Sequence, residues 1–457
     1  MMDYESILKD IKPTTDEKEH IDSVSSSVMS FLQGECDDND IPARVALVGS
    51  VAKNTALKGK SDIDIFIAFP LETDKKKLKK TGLDLAHKCC DEFGSDPEHH
   101  FASHPYVTTH IEDCEVDIVP CYAIENGDQL KSAVDRTILH TRYVKAHLTR
   151  EQEDEVLLLK RFMAMTGTYG SEFKVGGFAG YLCELLIIHY GSFEDTLKNA
   201  IDWKYGETID IEDYGTAKNF RDPLVVIDPT DRNRNVGAAL RLNKMAEFIQ
   251  SARNYLFGDN KRDYFYPLKR ELDKANILNE FKNRNSEVIA VRFQIPDIPL
   301  DTLHPQIKKT TEALERKLND EEFNVFRADY WSDEVMTGVI VLEMASSRLN
   351  NVRVNVGPKV FIKQACENFI GKYGRENCYI QDDFLVHTQE REFTVASDLI
   401  RHIFTREHIG MIKVGKNLKN TLISTHEFID IGELADNPDF LMFLDDFLNP
   451  AQHISRC

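Results

Sequence analysis

Two aspartates in the first part of the chain, Asp62 and Asp64, have the spacing expected of paired metal ligands. One residue separates them, and they lie at the start of an apolar run that continues to Phe69. Because successive side chains of a β-strand point to opposite faces, the two carboxylates would share one face of a strand. Neighbouring carboxylates repel each other, and a hard divalent cation such as Mg²⁺ relieves that repulsion while it also binds substrate phosphates. An isolated Asp-x-Asp pair is more often a solvated strand edge, so the surrounding sequence has to decide between the two interpretations.

The surrounding sequence favours a phosphate site. A second apolar run ends at Gly49 and Ser50, and backbone N–H groups with a hydroxyl at such a strand-to-helix turn can hold phosphate oxygens. Lys53, one turn later, would add a positive charge. Asp117 lies in another strand-like run, residues 114–120. Three carboxylates on adjacent strands make a two-metal site for phosphoryl transfer, so the sequence predicts catalysis.

This pattern resembles the nucleotidyltransferase superfamily, which includes DNA polymerase β, poly(A) polymerases and tRNA-terminal nucleotidyltransferases. A Gly-Ser turn, an Asp-x-Asp pair and a third aspartate follow one another in the order that the superfamily uses. Further motifs narrow the resemblance to the archaeal (class I) CCA-adding enzymes, over most of residues 35–240. These motifs occupy residues 134–144, 167–172, 177–186 and 190–193.

The resemblance implies an enzyme that adds C, C and A in turn to the 3′ end of tRNA, from CTP and ATP and without a nucleic-acid template. It implies two Mg²⁺ ions held by Asp62, Asp64 and Asp117, with a 3′-hydroxyl attacking the α-phosphate and pyrophosphate leaving. Two alternatives stay open. One is a related template-independent enzyme of the poly(A) polymerase or oligoadenylate synthetase type, and the other is a non-catalytic RNA-binding protein.

The resemblance also implies a nucleotide pocket. The residues expected around the phosphates are Gly49, Ser50, Lys53, Lys160 and Tyr169. His140 is expected near the sugar. Lys53 takes the place of the arginine that is usual after the Gly-Ser turn, which keeps the charge but loses the bidentate geometry of a guanidinium.

Base recognition is predicted in a polar loop that follows the apolar strand at residues 223–227. The loop carries Arg232 and Arg234, and the forked donors of an arginine can read the acceptor edge of a base. Asp231 could orient one of these arginines. The sequence does not decide which of the two reads the base, and a salt-bridged loop without a role in recognition is the alternative.

These residues have to be positioned by an α+β multidomain fold. Residues 1–147 are predicted to form a polymerase-β-like nucleotidyltransferase domain with a mixed sheet, in which a hairpin brings Asp117 beside the aspartate pair. Residues 148–260 are predicted to form a helical central domain that completes the nucleotide pocket. Residues 261–457 are predicted to form a tRNA-binding region, with a β-α-β-β succession that fits an RRM-like or ferredoxin-like unit. The aromatic residues of its second strand are predicted to be core rather than an RNA-stacking platform: Phe326, Tyr330 and Trp331.

Composition sets outer limits on these interpretations. The chain has 457 residues, a formal net charge of −20 and nine cysteines. The negative charge is unexpected for a tRNA-binding protein, but a local basic surface suffices for an RNA groove. An odd number of cysteines without a Cys-x-x-Cys pair argues against a disulfide framework and against a zinc module. No apolar run approaches the ~20 residues of a membrane span, so we expect a cytoplasmic protein without membrane contact. The oligomeric state stays open, with a homodimer among the alternatives.

Overall fold

The computed structural model describes residues 2–59, 62–101 and 105–456. They form two compact units, one made of Met1–Lys269 with Ala451–Cys457 and the other of Arg270–Pro450. The α+β multidomain class predicted from the sequence is confirmed.

The first unit begins with a five-stranded sheet and its helices. The elements are α1 (Tyr4–Ile11), α2 (Thr15–Asp38), β1 (Arg44–Val48), α3 (Gly49–Ala52), β2 (Ile63–Phe69), α4 (Lys75–Phe93), β3 (Glu98–Phe101), β4 (Pro105–Ile111) and β5 (Cys114–Tyr122). The strand order is β1-β2-β5-β4-β3. Strands β2 and β5 are parallel, and the other neighbours are antiparallel. The sheet is therefore mixed, as predicted.

Helices α2 and α4 cover one face of this sheet, and this burial fixes the orientation of β2. Ile63, Ile65 and Ile67 are fully buried in the core that contains Val28 of α2 and Leu85 of α4. Because side chains alternate along a strand, burying this isoleucine row turns Asp64, between Ile63 and Ile65, to the other face. The apolar alternation that was visible in the sequence thus decides where the carboxylates point.

The rest of the first unit is mainly helical and contains a small three-stranded sheet. Its elements are α5 (Arg136–His147), α6 (Arg150–Met165), α7 (Gly180–Tyr190), α8 (Phe193–Ala200), β6 (Glu207–Ile209), β7 (Leu224–Asp228), β8 (Asp231–Asn235), α9 (Leu242–Phe257) and, near the end of the chain, α16 (Gln452–Ser455). Strand β7 lies between β6 and β8, parallel to β6 and antiparallel to β8. Helices α6 to α9 share a continuous hydrophobic core.

The segment predicted as a polar loop for base recognition is instead strand β8. It turns back at Pro229 and Thr230, and its backbone pairs with β7 through Ile227 and Asn235. The Asn235 side chain completes the pairing, because its Oδ1 accepts from the Val226 N–H at 2.8 Å. The prediction of a loop was wrong because backbone pairing to a buried strand does not require apolar side chains.

The second unit contains a four-stranded antiparallel sheet in the order β10-β11-β9-β15. Its elements are α10 (Lys274–Asn283), β9 (Glu287–Gln294), α11 (Leu300–Asp320), β10 (Asn324–Ser332), β11 (Thr337–Ser346), β12 (Val352–Lys359), α12 (Lys363–Tyr373), β13 (Cys378–Gln381), β14 (Phe384–Glu390), α13 (Ala396–Ile403), α14 (Leu418–Thr425), β15 (Glu427–Ile429) and α15 (Pro438–Leu448). The predicted β-α-β-β succession is β9-α11-β10-β11. Separate hydrophobic cores cover the two faces of the sheet, one with α11 and α13 and one with α10 and α15.

The aromatic residues of β10 divide between core and surface. The Trp331 ring packs edge-on against Phe440 of α15, with the centroids 5.2 Å apart, and Tyr330 packs on the α11 side. Phe326 is 57% exposed because it occupies a bulge, where the pairing register shifts between Val325 and Arg327. The core prediction was therefore wrong for Phe326.

A three-stranded sheet in the order β12-β14-β13, together with α12, completes the second unit. Over the described part of the chain, no helix combines the length and the apolar character that crossing a membrane requires.

Candidate active site

The predicted catalytic aspartates lie on the face of the first sheet opposite α2 and α4. Asp64 of β2 and Asp117 of β5 are direct partners in the parallel register, so their side chains leave neighbouring backbones on the same face. Asp62 immediately precedes β2 and is exposed. The structure therefore brings Asp64 and Asp117 together, with Asp62 at the solvent side.

The carboxylates of this site repel one another. Burial, followed by repulsion from Asp117 and Asp62, raises the pKa of Asp64 to about 6 although Lys53 opposes the increase. The hydroxyl of Thr108 on β4 donates to Asp117 Oδ1 at 2.5 Å. Clustered, half-buried carboxylates are the donor set that a hard divalent cation prefers.

The carboxylates do not form a closed metal cage by themselves. Within residues 2–59, 62–101 and 105–456 there is no group of three or more histidine, cysteine, aspartate or glutamate side chains that could hold a metal ion. Mg²⁺ usually binds one or two carboxylates and takes its remaining ligands from water and substrate phosphates. The paired carboxylates of Asp64 and Asp117 fit a site of that kind.

Gly49 determines how closely the turn after β1 approaches Asp64. Its φ is +73°, and a Cβ built on it would lie 1.9 Å from Asp64 Oδ2. Both the positive φ and the contact exclude a side chain at this position. Ser50 follows in α3 and is half-buried. The Gly-Ser turn thus lies directly against the predicted metal ligand.

Replacing Gly49 with alanine should therefore displace Asp64. We expect nucleotide transfer to slow by ~10²-fold, because a shift of about 1 Å in a catalytic group has effects of that size. Steady-state kinetics would measure it, with Gly59→Ala as the control, since Gly59 also has a positive φ but has open space around it. A Gly49→Ala enzyme as active as the Gly59→Ala enzyme would contradict this assignment.

The two predicted phosphate-binding lysines meet at a buried glutamate. Lys53 Nζ donates to Glu184 Oε2 at 2.6 Å, and Lys160 Nζ of α6 lies 3.3 Å from Glu184 Oε1. Thr55 Oγ1 donates to the same Oε1 at 2.6 Å, and Lys160 also donates to the Thr55 carbonyl at 3.0 Å. Glu184 is 0% exposed, so one carboxylate neutralises two ammonium groups inside the protein.

Tyr169 reaches the same place from the loop after α6. This loop pairs with residues 177–178, since the Phe178 N–H donates to the Thr168 carbonyl at 2.7 Å. A Cβ on Gly180 would lie 3.2 Å from Tyr169 Oη and 3.5 Å from Lys160 Nζ. Burial raises the pKa of the Tyr169 hydroxyl, so it remains a neutral donor.

His140 belongs to a second cluster, centred on the buried carboxylate of Asp228. His140 Nε2 lies 2.9 Å from Asp228 Oδ2, and its ring stacks on Tyr181 with the centroids 3.9 Å apart. The Tyr181 hydroxyl donates to Asp228 Oδ1 at 3.3 Å. Burial lowers the pKa of His140 although Asp228 opposes this change, so the imidazole is neutral at pH 7.

The two candidate base-reading arginines have different surroundings. Arg234 donates from Nη1 to Asp228 Oδ2 at 2.8 Å, and its side chain is 33% exposed. Arg232 is exposed. The expectation that Asp231 orients one of them was wrong, because Asp231 Oδ2 accepts from Arg136 Nε at 3.0 Å. Arg234 and Arg136 line a cavity of about 420 Å³ beside the Asp228 cluster.

Sequence reasoning gave no role to the residues at the centres of these clusters. The missed residues are Thr55, Arg136, Tyr181, Glu184 and Asp228. A signal was available for two of them: Glu184 is the one charged residue among the apolar positions of α7, as Lys160 is in the apolar stripe of α6. Two opposite charges that each interrupt a buried helix are expected to pair, since an unpaired buried charge is costly.

The fold and the arrangement of the site define a nucleotidyltransferase. Three family models match successive parts of the chain: "Nucleotidyltransferase domain" at residues 29–140, "tRNA nucleotidyltransferase, second domain" at residues 154–266, and "CCA-adding enzyme, C-terminal domain" at residues 284–430. The chain belongs to the CCA-adding enzyme family.

Relatives of similar length support this membership. A protein of Methanothermobacter thermautotrophicus named CCA-adding enzyme is 44% identical over 461 residues, which cover 99% of each chain. One of Methanosarcina acetivorans with the same name is 37% identical and covers 96% of each chain. One of Methanopyrus kandleri is 33% identical and covers 95% of this chain and 93% of its own. The resemblance to archaeal CCA-adding enzymes inferred from the sequence is confirmed. The roles of individual residues stay predictions.

Proposed function

We propose that this protein adds C, C and A to the 3′ end of tRNA, taking CTP twice and ATP once and using no nucleic-acid template. The observation that carries the proposal at the site is the register that makes Asp64 and Asp117 partners on parallel strands. The order of the three matching family models along the chain and the relatives named CCA-adding enzyme support the choice of reaction.

Asp62, Asp64 and Asp117 would hold two Mg²⁺ ions. Bound there, the ions would supply charge stabilisation for both the attacking and the leaving oxygen of an in-line displacement. Thr108 fixes one oxygen of Asp117, and the strand register places this carboxylate on the sheet face that carries Asp64. Gly49 lets the turn approach the Asp64 carboxylate closely, and the Ser50 hydroxyl and the nearby backbone N–H groups would hold phosphate oxygens.

The buried lysines would hold the triphosphate. Lys53 and Lys160 share one carboxylate, that of Glu184, which leaves their two positive charges only partly neutralised by this partner and able to attract an anion. Tyr169 adds a neutral hydroxyl donor close to Lys160. When Asp228 accepts from Nε2 of His140, the Nδ1 atom is the one offered to a ribose hydroxyl. A site of this kind positions the sugar and the phosphates without distinguishing the base.

Arg234 is the better candidate for reading the base. Asp228 anchors its guanidinium at 2.8 Å, and it faces the cavity of about 420 Å³ described above. A guanidinium group held by a carboxylate keeps a fixed direction toward a base edge, whereas the exposed Arg232 side chain has to be ordered when the nucleotide binds. We therefore assign cytosine and adenine recognition to Arg234.

The test is incubation of the protein and Mg²⁺ with labelled CTP or ATP and a tRNA transcript that lacks its last three nucleotides. We expect two cytidines and then one adenosine, with no extension of a transcript that already ends in CCA. Tailing of unrelated RNA, or no use of CTP, would favour a poly(A) polymerase or oligoadenylate synthetase type of activity. Binding of tRNA without any transfer would favour a non-catalytic RNA-binding protein.

A further inference from the structure

We propose that Glu184 is a positioning residue that holds Lys53 and Lys160 in place, and charged, for the triphosphate. The inference rests on the proposed function, since it takes these lysines as the phosphate-binding groups.

Glu184 connects separate parts of the first unit. Lys53 follows α3, Lys160 lies on α6, and Glu184 lies in the middle of α7. Oε2 of the glutamate contacts Lys53, and Oε1 contacts Lys160 and the Thr55 hydroxyl. Each carboxylate oxygen therefore fixes one ammonium group, and the Thr55 hydroxyl prevents the carboxylate from rotating.

The charge of Lys160 depends on this carboxylate. Burial lowers the pKa of Lys160, Lys53 lowers it further, and Glu184 raises it. The groups that face Lys160 are Glu184 and Cys183 of α7, Lys53 and Thr55 of the segment after α3, and Tyr169 of the loop after α6. Burial raises the pKa of Glu184, but Lys160 and Lys53 lower it by more, so this carboxylate is ionised at neutral pH. Without it, Lys160 would face Lys53 with no counter-ion.

If Glu184 only stabilised the core, its loss would have different effects from those expected if it keeps Lys160 charged. Loss of a purely structural pair should lower stability and affect nucleotide binding equally at every pH. Loss of a charge-maintaining partner should leave binding nearly normal where Lys160 is still protonated and weaken it as the pH rises. The direction follows because only the ammonium form attracts phosphate and because removing the carboxylate lowers the pH at which Lys160 loses its proton.

The experiment compares Glu184→Gln with the wild-type enzyme between pH 6.5 and pH 9. The readouts are KM and kcat for CTP and ATP and, without tRNA, calorimetric binding of inorganic triphosphate. We expect the ratio of KM values, variant over wild type, to rise by ~10-fold across this range, since the variant loses one ionised partner of a buried lysine. The kcat ratio should change less. Glu184→Asp, which keeps the charge but shortens the side chain, should restore most of the affinity at pH 9.

Glu343→Gln is the matched control. Glu343 is also a buried glutamate, 1% exposed and paired with Arg284, but it lies in the second unit. Its loss should lower the unfolding temperature without changing how triphosphate binding depends on pH. A Glu184→Gln variant whose KM ratio is flat from pH 6.5 to pH 9 would overturn the proposal, whether or not its stability falls.

Two other outcomes also test the proposal: a Glu184→Gln variant that does not fold, and a wild-type protein that transfers no nucleotide. If Glu184→Gln does not fold, Thr55→Val removes the hydroxyl that donates to Oε1 and accepts from Lys160 Nζ at 3.2 Å, so the carboxylate loses one of the contacts that hold it against Lys160. Triphosphate affinity equal to that of the wild type across the whole pH range in this variant would overturn the proposal. If the wild-type enzyme transfers no nucleotide to tRNA, the proposed function fails, while triphosphate binding by the wild type and the Glu184→Gln variant still tests the role of Glu184.

Discussion

Replacement of Asp64 by asparagine is expected to lower the rate of nucleotide transfer to tRNA by ~10³-fold or more, because it would remove one of the proposed shared ligands of the two Mg²⁺ ions. Binding of tRNA should be largely unchanged. The measurement is single-turnover incorporation of CTP, together with a filter-binding titration of tRNA.

The same variant should not be destabilised, and this separates chemistry from folding. Burial and neighbouring carboxylates raise the pKa of Asp64 to about 6, so at pH 7.5 its charge is unfavourable in the metal-free folded state. A neutral asparagine should leave the thermal midpoint unchanged or raise it. Asp113→Asn is the matched control, since Asp113 lies exposed in the β4–β5 turn with a positive φ that asparagine tolerates. Wild-type rates in Asp64→Asn would refute the metal assignment.

Replacement of Asp228 by asparagine is expected to have the largest effect on stability. The buried carboxylate accepts hydrogen bonds from His140, Tyr181 and Arg234. In asparagine, the amide nitrogen is itself a hydrogen-bond donor and would face some of these donor groups without an acceptor. Breaking a buried charged network of this kind costs about 3 kcal/mol. The free energy of unfolding should fall by that amount in a urea titration, whereas Asp213→Asn, an exposed control in the same unit, should not change it.

The Asp228→Asn variant should also lose selectivity. Without its anchor, Arg234 no longer holds one direction toward the base, and we expect the preference for CTP and ATP over UTP and GTP to fall by ~10-fold in kcat/KM.

His140 and Arg234 hold the pKa of Asp228 far below its usual range although burial opposes them. A lowered pKa of an acid stabilises the folded protein above the unfolded value, about 3.9, and this contribution disappears as the pH falls through the folded value. The stability difference between wild type and variant should therefore be constant above about pH 5 and shrink below about pH 4. Unchanged selectivity in a destabilised variant would limit Asp228 to a structural role.

The sequence by itself determined the local framework of the candidate site. The alternation of isoleucine and aspartate in β2 is enough to decide which face carries Asp64, because a shift of one residue would place charges in the core. The Gly-Ser turn was predictable for a similar reason, since its spacing from the aspartates is local. The β-α-β-β order of the second unit could also be read from its periodicity. Each of these features depends on residues that are close in sequence or on one repeating pattern.

Only the tertiary structure decided which charges pair with each other. Glu184 is separated by 131 positions from Lys53, and Asp228 by 88 from His140, so no local pattern connects these partners. The polar segment with Arg232 and Arg234 looked like a loop, yet it pairs with β7 as a strand, and the choice of Arg234 over Arg232 follows from the contact with Asp228. The sequence shows which charged side chains need a partner when they are buried. The free energy of a buried charge, however, depends on the groups that lie within a few ångströms of it in space. Folding alone sets those distances.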